Sequence, residues 1–395
     1  MKIFFRLVTV AVFLVILAVV IAYARGYRLD FQKQSVSPNG ILAITSSPKT
    51  SKVYINGQLK GITDMNTTLS PGNYSIEIKK DGYTSYTKNV ALKGELVMSV
   101  DGLLFPVNPS LSPLTNLGIV KAIPLDQTNK LLIFSQSEDE AKDGIYLFEV
   151  NQSALSLFPP LKPIILRKDL PGNLDLKDTN VYFSPDYKQA IVEFLPTNIS
   201  YLLNLDEQNS NPINISSSQQ TLLYAWQKEK DQEKNKILET FPKQIAKVAS
   251  DSFHIVSYSP DDTRILYQAI KSIPLPLAIV PRLIATNQTT ENRELKKNSL
   301  YVYDKKEDRN YEIRNSKFEI RNFSPLWYPD SKHLTFVENN KVSVVDYDGQ
   351  NTRTVYSGPF DNSFFTLTPD GKIAVLINLN PDANKFPDLY LVGIR

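Results

Sequence analysis

Five aspartates occupy one recurring local setting: Asp126, Asp186, Asp261, Asp330 and Asp370. Four follow proline, in FSPDYKQAIVEF (183–194), YSPDDTRILYQ (258–268), WYPDSKHLTFV (327–337) and LTPDGKIAVLI (367–377). Two carboxylates facing each other across a bound sugar would support glycoside hydrolysis. A carboxylate in a proline-initiated turn instead accepts hydrogen bonds from its own backbone. The pattern predicts the second use, because each recurrent acid lies in a turn between strands. Glu193 stands apart, inside the apolar run IVEF. It is read as a solvent-facing strand residue, with a channel-facing carboxylate as the alternative. The two histidines, His254 and His333, are read as packing or surface groups. Cysteine is absent, which removes disulfides, thiol nucleophiles and thiolate metal sites. Asp346-Tyr347-Asp348-Gly349 echoes part of a calcium loop but lacks the full ligand spacing and the distal Glu, so it is read as a turn. No Gly-x-Ser-x-Gly elbow, P-loop or dinucleotide-binding glycine pattern occurs. No catalytic residue, metal site or cofactor is therefore assigned, and the protein is expected not to be an enzyme.

These aspartates mark a repeat of strand, turn, apolar strand and a further apolar strand. The weakest copy is IPLDQTNKLLIF (123–134), and the strands that follow the turns include GIYLFEV (144–150), SLYVYD (299–304), KVSVVDYDG (341–349) and DLYLVGI (388–394). Aspartate spacings of 60, 75, 69 and 40 exceed the roughly 40 residues of a propeller blade in three cases. Each excess has a visible source: a Pro-rich stretch at about 159–178, a helical stretch at 219–250 and a Pro-rich excursion at 270–298, read as a protruding hairpin. Leu222, Leu223 and Trp226 share one helical face, and QKEKDQEKNK (227–236) is read as a solvated face, with a docking helix as the alternative. Five units imply five blades, or six if one is too degenerate to see. The last unit ends after its third strand, so a closing strand is expected from Gly102–Val107, and C-terminal trimming should not be tolerated. Pro185, Pro260, Pro329 and Pro369 are the turn-setting residues of this region.

At the other end, Leu7 to Ala24 is an 18-residue run without charge, long enough to span a bilayer as a helix. Lys2 and Arg6 precede it and Arg25, Arg28 and Lys33 follow, so charge does not set its orientation. Ala22-Tyr23-Ala24 could serve as a signal-peptide cleavage site, but the apolar run exceeds the usual core of about 7–15 residues, so an uncleaved signal anchor is expected. Residues 1–33 hold five of the 44 basic and one of the 41 acidic residues, leaving 39 against 40 beyond. No basic domain remains to bind nucleic acid.

Between the anchor and the repeat, short strands and turns follow closely. Val53-Tyr54-Ile55 runs into Asn56-Gly57, a hairpin signal. Pro71-Gly72 and Asp81-Gly82 turn the chain again. Tyr74, Ile76 and Ile78 alternate with Ser75, Glu77 and Lys79, and so face a core. A small sandwich of antiparallel strands is expected, with Asn56, Gly57, Pro71, Gly72 and Gly82 setting its turns. Tyr54 should point opposite Val53 and Ile55, which makes it the candidate ligand contact; cross-strand packing is the alternative use of such aromatics.

The runs GILAITSSP (40–48), VYING (53–57), GIT (61–63), LSPGNY (69–74) and KKDGY (79–83) resemble a PEGA domain. They depart from that pattern at Thr50, Ser51 and Asp64, all in turns. The resemblance implies a bacterial extracytoplasmic module that contacts envelope polysaccharide or protein. The later units resemble the blades of TolB-like and WD40-like propellers, PLWYPDSKHLTFV (325–337) most closely. The expected fold is mainly β: a transmembrane anchor (1–28), a stalk (29–39), a PEGA-like sandwich (40–98) and a five- or six-bladed propeller-like domain with one helical insertion (99–395). The expected location is the cell membrane, single-pass, with the bulk outside. The expected activity is non-catalytic binding of envelope polysaccharide or a membrane or surface protein. The alternatives are a carboxylate glycosidase using the propeller channel, and a sensor or scaffold subunit docking through 219–250 and 270–298.

Overall fold

The computed structural model describes residues 2–24, 27–30, 35–126, 128–137, 139–150, 160–172, 174–195, 197–313 and 324–394. Helix α1 (Lys2–Ala24) carries an 18-residue window, Phe4–Ile21, of mean hydropathy 2.9, none of it buried. Its length and composition suffice to cross a bilayer. Strands β1 (Tyr27–Asp30) and β2 (Ser35–Pro38) then pair antiparallel, Tyr27 opposite Pro38. The expected stalk (29–39) thus contains part of a strand pair; its residues 31–34 lie outside the described residues.

The chain forms two compact units, Met1–Asn108 with Pro281–Thr290, and Pro109–Val280 with Glu291–Ile394. In the first, β3 (Gly40–Ser47), β4 (Lys52–Ile55), β5 (Gln58–Ile62), β6 (Met65–Leu69), β7 (Gly72–Lys79), β8 (Tyr86–Leu92) and β9 (Val97–Leu103) make two sheets, ordered β6-β3-β9 and β5-β4-β7-β8. Their inward residues, among them Leu42, Ile44, Val53, Ile55, Ile76, Ile78 and Val100, form one core. Tyr74 is only partly buried against it. Two expectations change here. The sandwich runs past residue 98, because β9 belongs to it, and β9 pairs parallel to β3, so the strands are not all antiparallel. The Asn56-Gly57 turn takes positive φ at both positions, 50° and 78°, which that two-residue hairpin requires.

The second unit holds five four-stranded sheets. Blade 1 is β11 (Ile119–Pro124), β12 (Lys130–Ser135), β13 (Gly144–Glu149) and β14 (Leu161–Leu166); β10 (Ser110–Pro113) precedes it. Blade 2 is β15 (Thr179–Phe183), β16 (Gln189–Phe194), β17 (Ile199–Asn204) and β18 (Ile213–Asn214). After helices α2 (Gln219–Glu239) and α3 (Lys243–Ser252), blade 3 is β19 (Phe253–Tyr258), β20 (Arg264–Ala269), β21 (Leu300–Asp304) and β22 (Arg309–Glu312). Blade 4 is β23 (Leu326–Trp327), β24 (His333–Glu338), β25 (Lys341–Asp346) and β26 (Arg353–Tyr356). Blade 5 is β27 (Phe365–Leu367), β28 (Ile373–Ile377) and β29 (Asp388–Gly393), completed by β10.

Apolar clusters join blade 1 to blade 2, blade 3 to blade 4, and blade 5 to blade 1. The last of these brings blade 5 against blade 1, and between blades 4 and 5 the Tyr328 hydroxyl donates to the Gly371 carbonyl at 2.9 Å. The closing strand does come from upstream, but it is β10, Ser110 opposite Gly393 to Pro113 opposite Tyr390. The expected Gly102–Val107 instead contributes the end of β9 and Leu104 to the sandwich core. Asp388 reinforces the closure: its Oδ1 accepts from Thr115 Oγ1 at 3.0 Å and from the amide of Leu117 at 2.7 Å. The helical stretch fills the gap between blades 2 and 3. Trp226, Leu222 and Leu223 of α2 pack on Ile191 and Leu202 of blade 2. Leu238, Phe241, Ile245 and Ala249 pack on Phe253, Ile265 and Tyr267 of blade 3. The ring thus has five sheets and one helical wedge.

Candidate functional site

The recurrent aspartates are engaged in their own turns. In the blade 2 turn, Ser184 Oγ donates to Asp186 Oδ1 at 2.7 Å and the Tyr187 amide donates to the Ser184 carbonyl at 3.0 Å. Ser259 Oγ donates to Asp261 at 2.7 Å, and Thr263 donates to both carboxylate oxygens. Burial opposes ionisation there, yet these bonds and the Arg264 charge hold Asp261 at about 2. Asp330 accepts from the Lys332 amide at 2.8 Å, and Asp370 pairs with Lys372 at 2.9 Å. Proline precedes each, and the residue after each has positive φ: Tyr187 at 54°, Asp262 at 53°, Ser331 at 62° and Gly371 at 81°. Pro185, Pro260, Pro329 and Pro369 thus sit at the second position of a turn whose last residue is left-handed. Asp126 differs, lying in the field of Lys230 and Lys234 of α2. Burial, then the Asp126 charge, push the Tyr187 phenol up to about 12, and Lys230 Nζ sits 6.0 Å from the centre of that ring.

Glu193 lies on β16 opposite Asn180 of β15. Its Oε2 accepts from Asn180 Nδ2 at 3.0 Å and from the exposed Tyr182 hydroxyl at 3.5 Å. An amide and a phenol hold it, which is a structural arrangement for a strand carboxylate. His254 is exposed on β19. His333 is buried in blade 4, where Nδ1 meets Asp330 Oδ2 at 2.7 Å and Nε2 meets Asp346 Oδ1 at 3.3 Å. Burial favours the neutral ring, but the two carboxylates outweigh it and raise His333 to about 9. Both ring nitrogens face carboxylates, so this group clamps the blade. Asp346, Asp348 and Gly349 form a turn: the Gly349 amide donates to the Asp346 carbonyl at 2.8 Å and the Gln350 amide to Asp348 Oδ1 at 3.1 Å. Among the described residues no group of three or more His, Asp or Glu is arranged to hold a metal ion.

The 270–298 excursion is clamped at its base by a buried network that sequence spacing did not signal. Asp308, fully buried, accepts from Arg293 Nη2 at 2.5 Å, from Tyr303 at 3.0 Å and from the amides of Ala278 and Ile279. Only one bridge, Pro274 opposite Glu294, gives the excursion ladder character, so it is a clamped loop and not the expected hairpin. Its apolar side chains include Val280, 77% exposed, and Ile284, 67% exposed.

Tyr54 lies half-buried on β4, opposite Leu59 of β5 and Glu77 of β7, on the face away from Val53 and Ile55. Lys79 Nζ stands 5.4 Å from its ring centre and pairs with Glu77 at 2.8 Å. Leu59, 58% exposed, flanks the ring. The arrangement is a flat sheet face carrying an aromatic, an aliphatic and a paired cation and anion. Such a face can stack on a sugar ring and hydrogen-bond its hydroxyls.

Residues 39–108 match the PEGA domain family. The PEGA domain therefore includes β9 and ends just before β10. No curated protein matches the chain. Solved structures with similarity include one assigned to TolB from Agrobacterium tumefaciens, 14% identical with a TM-score of 0.21, covering 63% of this chain. This chain spans 65% of that structure's length, just under two thirds. Others are a protein of unknown function from Bacteroides thetaiotaomicron (11% identical, TM-score 0.19, 82% of this chain and 73% of that one) and an oligogalacturonate lyase in complex with manganese (10%, 0.21, 90% and 88%). The propeller itself rests on the five sheets and the clusters that close them.

Proposed function

We propose that the chain is a membrane-anchored, extracytoplasmic envelope protein that acts by binding and not by catalysis. The observation that carries this reading is the order of parts: a PEGA domain placed directly after an apolar helix long enough to span a bilayer. The binding reading is supported over a glycosidase by the engagement of the recurrent aspartates in their own turns. The Tyr54 face supports envelope polysaccharide as a ligand of the PEGA domain, and the rigid ring offers loops for a protein partner.

Full-length protein in lipid nanodiscs, passed over immobilised envelope polysaccharide, tests this. Saturable retention weakened several-fold by Tyr54→Ala is the expected result. Retention unaffected by Tyr54→Ala removes that face from the reading. Shortening of the polysaccharide during incubation overturns the non-catalytic reading, and Glu193→Gln would then be the first variant to make.

A further inference from the structure

We propose that residues 281–290 make a second contact with the bilayer that α1 crosses, with Leu283 and Ile284 seated in its lipid–water interface. The inference rests on the membrane-anchored reading above. These ten residues belong to the same compact unit as α1 and the PEGA domain. Four observations within that unit bring them to the anchor's end of the sandwich. Tyr27, three residues after α1, pairs with Pro38, so the helix end lies within about 10 Å of that pair. Pro38 packs on Gly94, where an added Cβ would meet the Pro38 carbonyl oxygen at 2.4 Å, and the Glu95 amide donates to the Asn39 carbonyl at 3.0 Å. Ala91, three residues before Gly94, is gripped at both backbone groups by one side chain: its amide donates to Gln288 Oε1 at 2.5 Å, and Gln288 Nε2 donates to its carbonyl at 2.8 Å. Lys88 Nζ adds a bond to Thr289 Oγ1 at 3.3 Å. The segment is thus held by residues 288–289 while Leu283 and Ile284 stay 43% and 67% exposed.

Chemistry selects lipid as the occupant. From Pro281 to Thr290 there is no Asp or Glu, while Arg282 is basic, which suits anionic headgroups. Residues 276–290 form no helix or strand. Backbone without a ladder cannot enter the hydrocarbon core, so the contact is interfacial and made by side chains.

The chain lacks cysteine, so single-cysteine labelling of the full-length protein in proteoliposomes is a direct test. An environment-sensitive fluorophore is placed at Ile284→Cys, with Leu283→Cys as a second position. Phe13→Cys in α1 reports on the anchor, and Tyr224→Cys, 73% exposed, reports on water. The expected result is a blue-shifted Ile284 label quenched by lipids bearing a shallow doxyl group and shielded from iodide, with a Tyr224 label that shows the reverse. An iodide-quenched Ile284 label beside a lipid-quenched Phe13 label overturns the inference and leaves the anchor standing. A label shielded from both quenchers means protein covers the segment, which also overturns it. A Phe13 label that lipid does not quench removes the membrane reading and this inference with it.

Discussion

At neutral pH the His333 imidazole is charged, because Asp330 and Asp346 raise its pKa from 6.5 to about 9 in the folded state. A folded-state value above the unfolded one stabilises fully below the unfolded pKa and is lost as pH rises through the folded one. Propeller stability should therefore hold below about pH 6.5 and fall between there and pH 9, by an amount on the order of 3 kcal/mol. Thermal melts of the wild type and of His333→Gln across that range check this; the variant should lack the fall and be less stable at pH 6. Asp308 is a harsher case. Asp308→Ala removes the nearer of the two carboxylates that pair with buried Arg293, Glu291 remaining at 3.6 Å, and strips the Tyr303 hydroxyl and two amides of their acceptor, so it should cost about 3 kcal/mol in urea titrations. Residue-level legibility followed the range of each interaction. The turn prolines and the outward Tyr54 follow from local alternation and could be read directly. The Arg293–Asp308 pair joins a loop to a hairpin turn, and no spacing rule records such a pairing. Lys79 over Tyr54 was equally hidden, although it lies on an adjacent strand.

Among the elements, α2 is the one whose packing is most specific to this ring. Trp226 is 8% exposed and sits against Ile191 and Ile215, so Trp226→Ala should cost about 3–5 kcal/mol and shift the propeller's urea midpoint without changing the PEGA domain. The helical stretch was legible because its apolar residues share one helical face. The closing strand was misplaced for a physical reason. All four residues of β10 are exposed at the rim of blade 5, so Ser-Leu-Ser-Pro carries no apolar signature, whereas Gly102–Val107 is apolar because it ends the sandwich core. Strand β29 lies between β28 and β10. Truncation after Pro387 should therefore abolish the propeller's cooperative transition in circular dichroism melts, not merely lower its midpoint.

For the whole molecule, two units with separate cores predict two calorimetric transitions. Ile76→Ala should lower one and Ile133→Ala the other, each by about 2–5 kcal/mol, since both side chains are fully buried. That two units exist was legible from the switch between a tight strand-and-turn run and a repeat near 40 residues. That residues 281–290 belong to the first unit was not, since Gln288 and Ala91 meet across 197 positions. The β10–β29 pair spans further still, from Ser110 to Gly393. Growing from its N-terminus at about 5–20 residues per second, the chain makes β10 on the order of 15–60 s before its partner. Throughout that interval β10 waits without its partner and the ring has no seam, so a nascent propeller remains open to chaperones and proteases until β29 is made.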